Sequence, residues 1–67
     1  MINVAIVEDE HLAARELEKN LLSLRPGEID VKIKLENVSQ AVAWFSDNQV
    51  DLIFMDVHLG EIGRAHV

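Results

Sequence analysis

The 67-residue chain has no cysteine, so it can form neither a disulfide framework nor a thiolate metal site. It is also poor in base. Six Lys and Arg stand against 12 Asp and Glu, a formal net charge of −6. Nucleic acid and anionic membrane need clustered Lys and Arg, so neither is an expected contact of this segment. No apolar run approaches the ~20 residues that cross a bilayer. The N-terminus has no basic leader and no small-residue cleavage site, which argues against a signal peptide and for a cytoplasmic, single-domain protein. No Gly-rich loop follows the first apolar run, which argues against a P-loop or dinucleotide motif.

What remains is globular in composition, with 49% hydrophobic and 27% charged residues, more apolar than a disordered chain. Size is the difficulty. A chain of about 60 residues buries only ~60% of its unfolded surface. Below ~70–80 residues a core rarely supplies more than ~3–5 kcal/mol without staples.

Residues 2–7 are an apolar, largely β-branched run interrupted only by Asn3, the pattern of a strand buried on both faces. Residues 10–24 have helical spacing, with Ala13, Ala14, Leu17, Leu21 and Leu24 as the apolar stripe. Asp9 can cap this helix, and Arg25-Pro26-Gly27 ends it. Residues 31–36 alternate, with Val31, Ile33 and Leu35 on one face and Lys32, Lys34 and Glu36 on the other. That reads as a half-exposed strand whose lysines suit a sheet edge. Ser39 can cap a second helix running to about Asn48, with Val38, Ala41, Val42 and Phe45 as its stripe. Residues 51–55 are apolar after Asp51 and read as a strand covered on both faces.

The expected order is β-α-β-α-β with a parallel sheet. The charged second strand belongs at an edge and the apolar first and third belong side by side, giving strand order 2-1-3. Right-handed crossovers then place the two helices on opposite faces.

Glu8 and Asp9 follow the first strand and Asp56 follows the third. Neighbouring strands lie ~4.8 Å apart, so the three carboxylates should meet at one rim, where the strand order reverses. Two like charges about 4 Å apart repel by roughly 4 kcal/mol at an effective dielectric of 20. A hard cation relieves this, and Mg²⁺ needs only a few protein oxygens because it keeps its waters. The backbone carbonyl of His58 is a further candidate ligand. With the cation bound, Asp56 can attack a phosphoryl group and form an aspartyl phosphate. The plainer alternative is that these are ordinary loop acids, with Asp9 serving as a cap. His11, on the first helical turn, reads as a solvent-facing neighbour of the rim. Trp44 beside Phe45 reads as packing. His11, His58 and His66 are spaced too widely for a zinc set.

The segments Val4-Ala5-Ile6-Val7-Glu8-Asp9-Glu10 and Asp51-Leu52-Ile53-Phe54-Met55-Asp56-Val57-His58-Leu59-Gly60 together resemble the first half of a response-regulator receiver domain. The resemblance covers residues 1–60, and the residues around Asp56 are similar to receivers joined to LytTR-type DNA-binding domains. It implies the flavodoxin-like, doubly wound fold, whose sheet begins 2-1-3, so the two readings of strand order are not independent. It implies Asp56 as phosphoacceptor, Asp9 as direct Mg²⁺ ligand and Glu8 as an acidic companion acting through water. It further implies a sensor histidine kinase as phosphoryl donor, a regulatory rather than enzymatic role, and a DNA-binding output domain beyond this segment.

The chain departs from that family in length. The family's switch Ser or Thr ends strand 4 and its Lys ends strand 5, and no residue here can take those roles. The apolar third strand would then be an unprotected edge, as expected of a truncated piece. Residues 62–67 match a translation of a common sequencing adapter (ATC GGA AGA GCA CAC GTC), so residues 61–67 are expected to be a non-native tail. Two alternatives stand beside the receiver. One is an inactive, marginally folded fragment. The other is a Mg²⁺-dependent phosphotransfer enzyme of the haloacid-dehalogenase type, which Glu8-Asp9-Glu10 fits poorly because the second Asp of that motif is missing.

Overall fold

Val4, Ala5, Ile6 and Val7 are all completely buried, and these four consecutive apolar residues form the centre of the fold. The computed structural model describes residues 1–56. In chain order they form β1 (Ile2–Glu8), α1 (His11–Leu24), β2 (Ile29–Leu35), α2 (Val38–Phe45) and β3 (Leu52–Asp56). The sheet is parallel with order β2-β1-β3, as the sequence predicts. Its two faces carry separate cores. Val4 and Ile6 pack with Ala14, Leu17 and Leu21 of α1. Val7 packs with Leu35 and with Ala41, Trp44 and Phe45 of α2. The helices therefore cover opposite faces. Among the described residues no helix is long and apolar enough to cross a membrane.

Several local features differ from the expectation. β2 does not keep Val31, Ile33 and Leu35 on one face. Its register with β1 shifts between Val4 and Ala5, which pair with Val31 and Ile33, so Lys32 is an extra residue. A bulge of this kind turns the following side chains over. Ile29 and Val31 consequently pack on the α1 side, and Ile33 and Leu35 on the α2 side. Lys34 is turned toward α1, where its Nζ meets Glu18 Oε1 at 2.7 Å.

The caps also move. α1 starts after Glu10 rather than Asp9, because Glu8 Oε1 accepts from the Glu10 N–H at 3.0 Å and the first helical bond runs from Ala14 N–H to the Glu10 carbonyl. α2 is capped by Asn37, not Ser39. Asn37 Oδ1 accepts from the Gln40 N–H at 2.8 Å, and Gln40 Oε1 reaches back to the Glu36 N–H at 2.8 Å. This is a close relative of the capping box. The helix ends at Phe45, short of Asn48, and Ser46 and Asp47 bond back into its last turn.

The packed stripes are narrower than the apolar spacing implies. Ala13 and Leu24 of α1 and Val38 and Val42 of α2 are exposed, while Trp44 joins the core, its ring T-shaped against Phe45 at 5.1 Å. Between α1 and β2, Glu28 N–H donates to the Arg25 carbonyl at 3.0 Å. Pro26 and Gly27 are the two central residues of this turn, and Gly27 has φ +77°, the conformation a type II turn reserves for glycine.

β3 is not covered on both faces. Leu52, Ile53 and Met55 are exposed and only Phe54, packed in the α1-side core, is half-buried; among the described residues β3 pairs with β1 alone. Its start is pinned by Asp51, whose N–H donates to the Asn3 carbonyl and whose Oδ2 accepts from the Asn3 N–H, both at 2.8 Å.

Candidate functional site: an acidic rim at the end of β1 and β3

Alternation along β1 turns Glu8 to the same side as Val4 and Ile6, toward α1. Alternation along β3 turns Asp56 to the same side as Phe54, which packs in that same core. Glu8 and Asp56 are direct register partners in the parallel pair. Two carboxylates thus leave the same rim, on the same face, from neighbouring strands. Asp9 follows Glu8 in the connection to α1.

Glu8 is the buried member, 7% exposed, whereas Asp9 and Asp56 are open to solvent. The hydrogen bond from the Glu10 N–H favours the Glu8 carboxylate and lowers its pKa. Burial, hydrogen bonding with the side chains of Asp9 and Asp56, and the charge of Asp56 all oppose this, and together they hold Glu8 above its ordinary value of 4.5. Asp9 and Asp56 each interact with Glu8, Asp56 from the neighbouring strand.

The sequence makes Asp9 the direct metal ligand and Glu8 the companion. Among the described residues no three acidic, His or Cys side chains are grouped as a ready-made metal cage. The donor chemistry still fits a hard cation that retains water, since oxygen donors of one sign converge and the neighbouring acids hold the Glu8 carboxyl above its ordinary value. His58, the expected carbonyl ligand, lies outside the described residues, as does the expected non-native tail over residues 61–67.

His11 is solvent-facing, and its Nε2 lies 2.8 Å from Oε1 of Glu36 beyond the end of β2. Sequence spacing gives no sign of this pair, because it joins the first residue of α1 to the β2–α2 connection 25 residues on. It bounds a small cavity of about 230 Å³ that also touches Glu8, Arg15 and Lys34.

No protein-family model, no curated protein and no solved structure matches the chain.

Proposed function

We propose that the chain carries the N-terminal half of a receiver domain of a two-component response regulator, with Asp56 as phosphoacceptor and a sensor histidine kinase as phosphoryl donor. The observation that carries this reading is the register pairing of Glu8 with Asp56 at the rim where strand order reverses, with Asp9 hydrogen-bonded into the same cluster. Asp56 is the member suited to attack. It is exposed, at a strand end, and held by β1 beside the other two acids. Glu8 and Asp9 are suited to holding a cation next to it. Mg²⁺ bound by these residues would offset their charge and draw in the phosphoryl oxygens. The Asp56 carboxylate oxygen forms the new P–O bond while the donor's bond to phosphorus breaks, its electron pair leaving with the imidazole of the kinase histidine. A DNA-binding output domain and a cytoplasmic location belong to the same proposal.

The test is incubation with acetyl phosphate and Mg²⁺, where acetate is the leaving group. Intact-mass analysis should show one added HPO₃ unit on the wild-type chain and none on Asp56→Asn. A chain that is folded by circular dichroism yet gains no mass, or gains it at another residue, rejects the assignment.

A second reading is favoured by the exposed Leu52, Ile53 and Met55 of β3. The isolated 67-residue chain is then only marginally folded and inert. A cooperative thermal transition in a monomer rejects that reading.

A further inference from the structure

Five Lys and Arg lie among the described residues, and three of them are tied to acids: Arg25 to Glu28, Lys32 to Asp30 and Lys34 to Glu18. Arg15 and Lys19 have no ion-pair partner among the described residues. These two are one turn apart on α1, in line with Leu12 and Leu22, which are 73% and 40% exposed. At 100° per residue, Leu12, Arg15, Lys19 and Leu22 form one stripe, almost opposite the Ala14–Leu17–Leu21 stripe that packs on the sheet. With Pro26 of the following turn these residues line an open groove along the helix, whose wall also carries Glu16, Glu18 and Ser23. Glu18, the other acid nearby, is taken by Lys34.

We infer that this outer stripe of α1 docks an acidic amphipathic helix of another protein, one that sets two acids a turn apart between two apolar side chains. The apolar ends supply contact area, and the paired acids meet Arg15 and Lys19. A second copy of this chain does not fit. The antiparallel register that stacks Leu12 on the copy's Leu22 also sets Arg15 against the copy's Lys19, a like-charge contact at the centre of the interface. An anionic membrane is disfavoured by the chain's overall charge of −6. The inference is independent of phosphorylation at Asp56.

The test uses the 67-residue chain, isotope-labelled, and two synthetic helical peptides. One carries Glu at positions i and i+4 with Leu at i−3 and i+7. The other replaces both Glu by Lys. The acidic peptide should shift amide resonances along residues 12–26, more weakly as salt is raised. The basic peptide should not. R15Q/K19Q should weaken the acidic peptide roughly three- to tenfold. R15E/K19E should reverse the preference, and both positions are exposed, so circular dichroism should be unchanged. If the reversed variant fails to fold, the Gln variant and the salt titration decide. Equal binding of both peptides, shifts confined to other elements, or no shift at all overturns the inference. So does displacement of the acidic peptide by phosphatidylglycerol vesicles, or a concentration-dependent shift of the same stripe without any peptide.

Discussion

Glu8 has two opposed tasks. Its Oε1 accepts the Glu10 N–H at the start of α1, which favours the carboxylate, and its place beside Asp9 and Asp56 favours the acid. The second wins, so the folded chain binds the Glu8 proton more tightly than the unfolded chain does. Linkage fixes the sign. The stabilisation is fully present below the ordinary value of 4.5 and is lost as pH rises through the raised value. In metal-free buffer the urea midpoint of the wild-type chain should therefore fall as pH goes from about 4.5 to about 7. Glu8→Gln keeps an acceptor for the Glu10 N–H and removes the charge facing Asp56. It should flatten this part of the profile and be the more stable protein at neutral pH. A wild-type midpoint that rises across the window, or a Gln variant with the same slope, contradicts the account.

At the scale of elements, the structure departs from the sequence reading mainly at caps and in β2. The cap of α2 was misassigned to Ser39, although the signal was there: Asn37-Val38-Ser39-Gln40 has a capping residue followed three positions later by Gln, and both side chains are used. Asn37→Ala should cost about 1 kcal/mol in chemical denaturation, whereas Ser39→Ala should change stability by less than about 0.5 kcal/mol. Equal costs would return the cap to Ser39. The β2 bulge was not legible in the same way. Ile29, Val31, Ile33 and Leu35 occupy every second position, and alternation alone assigns them to one face. The extra residue at Lys32 divides them between two cores, a choice made by the need of each helix for apolar contacts on its own side of the sheet. The site was better encoded than β2. Glu8 and Asp56 end two apolar runs, and parallel pairing of those runs suffices to bring them together. The link between His11 and Glu36 had no counterpart in any spacing.

Across the whole molecule, the two edges of the sheet are treated differently. β2 carries Lys32 and Lys34 and a bulge, three features that discourage another strand from pairing there. β3 has none of these. Residues 52–55 are uncharged, Leu52, Ile53 and Met55 are exposed, and the strand keeps a regular register with β1 throughout. Charge does not offset this, because the net −6 acts at long range and is screened over about 8–10 Å in ordinary buffers. Strand addition at the β3 edge is then the favoured route to self-association. Ile53→Lys places a charge in the first half of that edge, at a position already 45% exposed, so its own cost should be about 1 kcal/mol or less. Light scattering across a concentration series should show the wild-type chain growing in mass while Ile53→Lys stays monomeric. Lys32→Ile should worsen association less than Ile53→Lys relieves it, since the bulge still interrupts the β2 edge. A wild-type chain that remains monomeric at high concentration would mean that β3 is protected by something other than its own residues 52–56.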